Sequence, residues 1–420
     1  MSLDQVARAR AISQRWRSDM SLGALVEARL ATARLLDVLV DVVAIGKASR
    51  EMASDVRVVL GERVCRQFTV CDQASVASYE VPSDVVVGEH PIPGPGSLEA
   101  GERLVAFLTA PTEADGTLFL LSGGASSLCV APVPPLTLAD LRGLWDAALT
   151  SGADISTLNK IRAATSSIAG GGVLRSVRTN RSESLILVDN VISGARWVAS
   201  SMTYDYLPER DEVTALLSDV ELAGTSLGER LVAAYEHRAS LMAAPVRSRH
   251  ENIVLAEPAM MLRATIEEAA RRGLRVVDMG SRVHGDAELV SRQWKEVLQR
   301  EVEDGGPVAL IGVGEVTVRV RGPGRGGRCQ EFAWSMANVL ADLGRESAFV
   351  ARASDGRDFI EGVGGAWVDE VTKEHASMKG IDWSVVMETN DSYTALSALD
   401  QLLEGGHTGW NLCDVYVALI

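Results

Sequence analysis

Short apolar runs that end in loops of small residues constrain the fold of this chain more than any other feature. The run at residues 118–121 stops at the loop 122–127, which reads SGGASS, and the run at 38–45 stops at Gly46 and Lys47. Helical patterns separate such runs, for example at residues 96–110. Strand-like runs that alternate with helices predict a parallel, doubly wound sheet.

A polar connector at residues 245–252 divides the chain into two predicted domains. We predict an α/β fold in which a Rossmann-like domain with a doubly wound parallel sheet occupies residues 1–245. A second α/β domain with a mixed sheet is predicted for residues 250–420, and it restarts with a strand at 252–257. Residues 1–39 are predicted to form an amphipathic helix. The other predicted strands before the connector lie at 66–72, 84–97 and 184–193.

Charge and cysteine content limit the partners that this chain is expected to have. The formal net charge is −15 and the pI is about 5.0, which argues against nucleic-acid binding by counterion release. An anionic small molecule must therefore meet local basic groups or backbone N–H donors. Five scattered cysteines without a CxxC pair predict free thiols in a reducing cytosol. No apolar run reaches about 18 residues, so we predict a cytoplasmic protein without a membrane span.

The loop after the run at 118–121 is a candidate phosphate site. In parallel sheets, ligands bind beyond the carboxyl ends of the strands. Small residues let backbone N–H groups approach an anion, and a helix behind the loop adds its dipole. The alternative is a tight turn without a ligand. Lys47, one residue past another predicted strand, is a candidate for neutralising phosphate oxygens. The loop residues assigned to phosphate binding are Ser122, Gly123, Gly124, Ala125 and Ser126.

A second candidate anion site is the basic, glycine-rich segment 321–332, which reads RGPGRGGRCQEF. Arg328 lies closest to the predicted helix start and is the favoured contact, with Arg325 as a further substrate contact. The alternative is a flexible basic hairpin. Glu315 interrupts an apolar strand, which indicates a bulge or a functional carboxylate in the phosphate-binding set.

Two further residues have a functional and a structural interpretation. Asp355 lies with Asp358 and Glu361 in the loop 353–362, where a carboxylate could hold Mg²⁺ or act as a general base, or simply close an Asp-Gly turn. His90 lies among glycine and proline turns without a second His or Cys of metal-ligand spacing. We interpret His90 as a structural or a substrate-polarising histidine.

These segments together resemble the type II glycerate 2-kinases, which combine a Rossmann-like N-terminal domain with a MOFRL C-terminal domain. The resemblance covers nearly the whole chain in family order. It implies ATP- and Mg²⁺-dependent phosphorylation of the 2-hydroxyl of D-glycerate, and a homodimer is one compatible state. Members have often been labelled hydroxypyruvate reductases, but we identify no dinucleotide-binding fingerprint. The matching segments are GKAS (46–49), GEHPIPGPGS (88–97), LLSGGASSL (120–128), SGADISTLNKIRAATSSIAGGG (151–172), GEVTVRVRGPGRGGRCQEFA (314–333), ASDGRDFIEGVGGAWVD (353–369) and HTGWNLCDVYVALI (407–420).

The resemblance also implies roles for individual residues. Lys47 matches the active-site lysine of the family and Arg328 the arginine of its GGRN segment. Asp355 matches the aspartate of its TDG turn, and Asp189 remains from an acidic segment that is otherwise lost here. Lys47, Arg328, Asp189 and Asp355 are thus the implied catalytic residues, with both aspartates as metal ligands, and Arg162 is an implied substrate contact. The implied active site is a cleft between the two domains.

Several family segments depart from their usual pattern, among them the segment that follows Arg162. Where the family reads R-K-H-L-S-x-I-K-G-G, this chain reads RAATSSIAGG, so Ala163, Ala164 and Ala169 replace two lysines and a histidine. The sequence therefore predicts that D-glycerate is a poor substrate and that a larger acceptor packs on Trp197 or Trp410. Two alternatives stay open, a related enzyme with a different reaction in the same cleft and a ligand-binding pseudokinase. ATP turnover with hydroxy acids would separate them.

Overall fold

The computed structural model describes residues 2–31, 35, 37–76, 82–153, 155–191, 194–304 and 306–420, which form two compact units. The first unit comprises Leu22–Val188 and Ser193–Leu255. The second unit comprises Met1–Ser21, Asp189–Ile192 and Ala256–Ile420. The units therefore differ in extent from the predicted ranges 1–245 and 250–420, because the N-terminal helix and a short segment at 189–192 belong to the second unit.

The predicted single helix at residues 1–39 is two helices. The first, α1 (Ser2–Asp19), belongs to the second unit, and α2 (Leu22–Leu30) belongs to the first. Trp16 of α1 is fully buried and its ring meets Trp410 edge-on with centroids 5.5 Å apart. The buried aromatic contact explains why α1 packs with the second unit, since a large apolar ring gains most from burial.

A six-stranded sheet forms the centre of the first unit. Its strand order is β3-β2-β1-β4-β5-β6, and the pairings among β1 to β5 are parallel. All six residues of β1 and all six of β4 are buried, as expected for parallel strands with both faces covered. The strands are β1 (Val40–Ile45), β2 (Val64–Asp72), β3 (Val85–Gly88), β4 (Gly116–Leu121), β5 (Arg181–Leu187) and β6 (Arg249–Ala256).

This strand order confirms the predicted doubly wound sheet and corrects one strand assignment. We predicted that the run at 252–257 begins the second domain, but β6 is the edge strand of the first sheet. The order reverses between β1 and β4, the switch point where ligands bind in such sheets. The helices of this unit after α2 are α3 (Ser49–Leu60), α4 (Pro95–Thr109), α5 (Ala125–Leu128), α6 (Leu138–Thr150), α7 (Ile155–Thr165), α8 (Gly172–Ser176), α9 (Arg210–Asp219) and α10 (Ser226–Met242).

The second unit contains the predicted mixed sheet. Its order is β12-β11-β10-β13-β9-β7, and β8 also pairs with β9. β13 pairs antiparallel with β9 and β10, whereas β7 and β8 are parallel to β9. The strands are β7 (Arg275–Asp278), β8 (Val283–Asp286), β9 (Val308–Thr317), β10 (Ala348–Ala353), β11 (Val363–Asp369), β12 (Leu402–Glu404) and β13 (Asp414–Leu419). The helices are α11 (Pro258–Arg271), α12 (Ala287–Asp304), α13 (Arg328–Ala341), α14 (Thr372–Met378), α15 (Trp383–Thr389) and α16 (Ser392–Ala398).

The core of the second unit is built around α13, which is buried along most of its length. Trp294, Phe332, Phe349 and Tyr416 meet edge-to-face with ring centroids 4.9–6.4 Å apart. The structure has all five cysteines as free thiols, with Cys65 exposed and the other four buried. Among the described residues, no helix combines the length and the apolar character that crossing a membrane requires.

Candidate active site

The loops after β1 and β4 interlock at the switch point of the first sheet. The Lys47 N–H donates to the Gly123 carbonyl oxygen at 2.9 Å, and the Ala48 N–H donates to Ser122 Oγ at 3.1 Å. Gly46 has a φ of +130°, and a Cβ there would lie 2.2 Å from Ser122 Oγ. Glycine is therefore required at residue 46, because the two loops approach too closely for a side chain.

The predicted helix behind the small-residue loop is shorter than expected. α5 has only four residues, so its dipole adds little to anion binding. The longer helix at this site is α3, which has twelve residues and begins two residues after Lys47 without a side-chain cap at Ala48. The helix terminus available for a proposed anion at this site is therefore the start of α3, because α5 is too short.

His90 and Lys47 both lie beside Gly124. A Cβ on Gly124 would be 3.2 Å from His90 Cδ2 and 3.3 Å from Lys47 Cγ. Gly124 itself has a φ of +81°, so a side chain there would also be strained. The structure thereby brings together Lys47, His90 and the loop 122–126, which the sequence predicted as separate site residues.

A pocket lined by Arg162 opens on the same loop. Arg162, Trp145, Ser126 and Ser200 are among its lining residues, and it is narrow, with about 20 Å³ of space for the centre of a water-sized molecule. The Arg162 guanidinium lies 4.3 Å from the centroid of the Trp145 ring, and its Nη1 donates to Asn159 Oδ1 at 3.2 Å. Burial lowers the pKa of Arg162 to about 10. Within the described part of the chain, no carboxylate pairs with Arg162, and its buried Nε has no acceptor.

Two of three consecutive residues with left-handed backbone, Ala199 and Ser200, line this pocket. Ala199, Ser200 and Ser201 have φ values of 53°, 53° and 58°, which non-glycine residues rarely adopt. The Gly170 and Gly171 N–H groups donate to the carbonyls of Ser200 and Ser201, and Ser200 Oγ donates to Ser126 Oγ at 2.6 Å. Such strain costs about 1–3 kcal/mol per residue and concentrates at functional sites.

Of the alanines that replace family lysines and a histidine, Ala169 lines the pocket. Ala163, Ala164 and Ala169 are buried, and a buried arginine from α10 lies behind them. Arg238 Nε donates to the Ala163 carbonyl at 3.4 Å, and Nη2 donates to the Ala169 carbonyl. Burial, and then nearby Arg175, lower the pKa of Arg238 to about 10. The sequence contains no pattern that predicts this contact, because Arg238 lies on α10, 69 residues after Ala169.

The two tryptophans that we predicted as substrate surfaces pack elsewhere. Trp410 is buried against Trp16 in the second unit. Trp197 meets Tyr206 edge-on with centroids 5.0 Å apart, and the Arg196 guanidinium covers both rings. The aromatic ring that lines the pocket is Trp145, so the reason for expecting a larger acceptor is lost.

In the second unit, Arg328 is held by carboxylates. Its Nε and Nη2 donate to the two oxygens of Asp414 at 2.7 Å each, and Nε lies 3.3 Å from Glu315. Although burial opposes it, these two carboxylates raise the pKa of Arg328 above its ordinary value. Glu315 thus lies within a continuous strand as a partner of Arg328.

The glycine-rich segment before α13 is shaped by packing against residues 389–391. A Cβ on Gly322 or Gly324 would lie 2.4–2.6 Å from Thr389 backbone atoms. The Asp358 carboxylate accepts hydrogen bonds from the N–H groups of Cys329 and Gln330, so it occupies the start of α13. The guanidinium of Arg325 lies over the Tyr393 ring at 4.6 Å. Asp358 belongs to the loop 353–362, whose carboxylates are predicted to hold Mg²⁺ or act as a general base, and the structure places it at the start of α13.

Asp189 and Asp355 both lie in the second unit, with different surroundings. Asp189 Oδ2 accepts from the Asn411 amide at 3.3 Å, and its carbonyl accepts from Cys413 Sγ at 2.8 Å. Asp355 Oδ1 accepts from the Arg357 N–H at 2.9 Å, as in an Asp-Gly turn, and the Arg17 guanidinium is close enough to interact with it electrostatically. Among the residues that the structure describes, no group of three His, Cys, Asp or Glu side chains could hold a metal ion.

Comparison with known proteins gives matches over most of the chain. Residues 2–233 match the family described as "Domain of unknown function (DUF4147)", and residues 308–414 match the MOFRL family. The chain is 30% identical to a putative hydroxypyruvate reductase of Agrobacterium vitis over 90% of its own length and 98% of that protein. It is 29% identical to the D-glycerate 2-kinase of Thermotoga maritima, over 90% of each. The crystal structure of a glycerate kinase from Thermotoga maritima superimposes with a TM-score of 0.84 at 27% identity, covering 100% of this chain and 99% of that one.

Proposed function

Because the chain belongs to the type II glycerate 2-kinase family, we propose that it transfers the γ-phosphate of ATP to a hydroxyl of D-glycerate or of a hydroxy acid of similar size. The comparisons support a glycerate kinase-type function. This chain's own residues must support three parts of the proposal. These are ATP as the phosphate donor, Mg²⁺ bound with it, and the identity of the acceptor.

The donor phosphates are proposed to bind at the loops after β1 and β4. The small residues at 122–126 would let an anion approach the backbone of this loop, although the Ser122 N–H already donates to the Ile45 carbonyl oxygen. Lys47 lies at the same point, followed by the start of α3, whose N-cap residue Ala48 makes no side-chain cap hydrogen bond. Phosphoryl transfer is catalysed mainly by positioning and by stabilising charge on the transferring group, and Lys47 is the proposed charge.

The acceptor is proposed to bind in the pocket of Arg162, and one observation carries this step. Ser126 belongs to the phosphate loop and also lines the pocket. A hydroxy acid whose carboxylate pairs with the buried Arg162 guanidinium would therefore have its hydroxyl directed toward the phosphate loop. A planar guanidinium binds a carboxylate through two parallel hydrogen bonds, which fixes the orientation of the acid. Transfer to the hydroxyl depends on that orientation.

Magnesium fits one of the two predicted ligands. Mg²⁺ in kinases is usually held by one or two carboxylates together with substrate phosphates, and there it neutralises phosphate charge. Asp189 is half-buried with an amide neighbour and fits this role. Asp355 fits less well, because the Arg17 guanidinium beside it disfavours a second cation. We propose Asp189 as the residue that would hold the ion.

The other predicted site residues keep the roles that we predicted for them. His90 would polarise the substrate from beside Gly124, and Arg325 would contact it. Arg328 would stabilise transferring charge, with Glu315 as its partner. A general-base role for Asp355 likewise remains a prediction.

Reduction of hydroxypyruvate is the second candidate, since two relatives from Agrobacterium vitis carry the name putative hydroxypyruvate reductase. The letters G-x-G-x-x-G occur at residues 322–327, so the prediction that the chain has no such pattern is wrong. A dinucleotide pyrophosphate would bind to the free N–H groups at the following helix start. The Asp358 carboxylate already accepts from two of those groups in α13. This contact favours the kinase.

Two assays on the full chain test the proposed function. With ATP, Mg²⁺ and D-glycerate, we expect ADP and a phosphorylated acid in equal amounts. With glycerol, which lacks the carboxylate that Arg162 would bind, we expect little turnover. Oxidation of NADH with hydroxypyruvate, in the absence of ATP turnover, would reject the kinase and support the reductase. ATP binding without turnover of any hydroxy acid would support a pseudokinase.

A further inference from the structure

A recess in the second unit gathers three arginines that the proposed kinase reaction does not use. It lies between α1 and the segment 404–408. The empty space inside it, about 730 Å³, includes open solvent. Arg10 and Arg17 line it from α1, and Arg352 lines it from β10. We call these residues and their neighbours the arginine recess.

The geometry of α1 directs one face into the arginine recess. Arg10, Gln14 and Arg17 are spaced at i, i+4 and i+7, so they share a helix face. Ser13 lies on the same side, and its Oγ accepts from Arg352 Nε at 3.3 Å. Arg15, on the same helix, is not part of the recess and pairs with Asp19. This helix face therefore presents Arg10 and Arg17, but not Arg15, to the recess.

The arginine recess has three arginines and one carboxylate, Glu404, among its lining residues, and Asp355 lies close enough to Arg17 to interact with it electrostatically. Arg352 is 5% exposed, and its described contacts include Ser13 but no ion pair with a carboxylate. Burial, and then the nearby Arg17 and Arg10, lower the pKa of Arg352 to about 10. Arg17 Nη2 donates to the Ser354 carbonyl, whereas its buried Nε has no acceptor among the described residues. Keeping a buried cation beside two like charges is costly unless an anion joins them.

The shape of the arginine recess indicates the class of anion. Arg10 and Arg17 reach it from the helix and Arg352 from the sheet, so donors approach from different directions. Tetrahedral phosphate oxygens match such an arrangement better than a planar carboxylate, which one guanidinium can satisfy alone. The backbone adds little, because the Gly405 and Gly406 N–H groups already donate to the carbonyls of Gly362 and Gly356.

We propose that the arginine recess of the second unit binds a phosphate group, either inorganic phosphate or the phosphate of a small phosphomonoester. Arg352 is the central contact, and Arg10 and Arg17 complete the site from α1. The proposal does not depend on the kinase reaction, since none of these three residues belongs to the proposed donor or acceptor sites.

Calorimetric titration of inorganic phosphate into the full chain tests the proposal. Arg10→Gln changes an exposed side chain, and Arg352→Lys keeps the charge but removes the planar fork. Each is expected to weaken phosphate binding about tenfold or more, the effect of losing one charge-assisted hydrogen bond. Arg15→Gln is the matched control on the same helix and should leave phosphate affinity within about twofold.

A Lys47→Met variant separates the arginine recess from the proposed donor site. Phosphate binding that survives Lys47→Met but is lost in Arg10→Gln supports the recess. Binding that is lost in Lys47→Met and unchanged in Arg10→Gln overturns it, as does the absence of binding to the wild-type chain at about 10 mM phosphate. Tighter binding of glycerol 3-phosphate than of phosphate would identify a phosphomonoester as the ligand, and the reverse order would identify inorganic phosphate. Equal binding of acetate would contradict the assignment of phosphate.

Discussion

At the scale of single residues, buried arginines distinguish this chain. Arg162 lines a pocket and Arg238 binds backbone carbonyls, yet neither makes a described ion pair with a carboxylate. A buried guanidinium is retained at such a cost only where it binds something, whether a backbone segment or a ligand. Arg238 holds the segment 163–170 from behind, which leaves Arg162 as the cation presented to the pocket.

Replacement of Lys47 tests the proposed donor site. Lys47→Met removes a positive charge where phosphate oxygens are proposed to bind, and loss of such a contact lowers kcat about 10²- to 10³-fold. Steady-state kinetics with ATP and D-glycerate measure this change. Lys160→Met is the control, because Lys160 forms a partly exposed ion pair with Glu212. A kcat of Lys47→Met within about threefold of wild type would exclude a catalytic role for Lys47.

Replacement of Arg238 tests its structural role. Arg238→Met keeps much of the side-chain volume but leaves the carbonyls of Ala163 and Ala169 without their donor, so we expect a loss of about 3 kcal/mol in unfolding free energy. Urea unfolding measures it. Arg210→Met should change stability by less than about 0.5 kcal/mol, because the Arg210 side chain is 72% exposed. Equal stability of the two variants would show that Arg238 does not support the segment.

At the scale of elements, the small-residue loops could be predicted and their surroundings could not. Apolar runs that end in SGGASS and GKAS place both loops at strand ends, and the strand order then joins them at the switch point. The left-handed run 199–201 has no glycine or asparagine to signal it. The cap of α13 by Asp358 joins residues about 30 positions apart, and only the folded second unit creates that contact.

The close contact between the loops after β1 and β4 predicts the effect of adding one methyl group at residue 46. Gly46→Ala would place a Cβ 2.2 Å from Ser122 Oγ in a backbone conformation that alanine rarely adopts. We expect the loops to separate, with a loss of about 2 kcal/mol or more in stability and a higher KM for ATP. Gly152→Ala is a matched control with a positive φ and open space around the Cβ. If both variants lose the same stability and neither changes KM, the interlocked loops have no role in binding.

Helix α13 contains a carboxylate that should make stability depend on pH. Burial raises the pKa of Glu331 from 4.5 to about 7, and the Asn390 amide donates to its Oε1 at 3.0 Å. Because the folded pKa lies above the unfolded one, this contribution is present below about pH 4.5 and is lost as pH rises through about 7, by up to about 3 kcal/mol.

Glu331→Gln should remove that dependence. The variant should gain about 2–3 kcal/mol in unfolding free energy relative to wild type between about pH 5 and about pH 8.5, measured by urea unfolding at both values. Glu374→Gln, on an exposed position of the same unit, should show no such gain. Parallel stability curves for wild type and Glu331→Gln would mean that Glu331 ionises normally in the folded unit.

At the scale of the whole molecule, the chain consists of two α/β units whose sequence segments are interleaved. The alternation of strands and helices was sufficient to predict both sheets. It could not assign α1 to the second unit, because that assignment depends on burial of Trp16 against Trp410, nearly 400 residues away. The arginine recess likewise has no signature in the sequence, because α1 and β10, which form it, are far apart along the chain.

The central claim is that Arg162 binds the carboxylate of a small hydroxy acid beside the phosphate loop, and the KM for D-glycerate tests it most directly. For wild type we predict a kcat/KM above about 10⁴ M⁻¹s⁻¹. Arg162→Gln should raise the KM for D-glycerate about 10- to 100-fold with an unchanged KM for ATP, because it loses a charge-assisted contact to the acid alone. Arg210→Gln serves as the control. A KM for D-glycerate that is the same in Arg162→Gln and wild type, at equal kcat, would contradict the account.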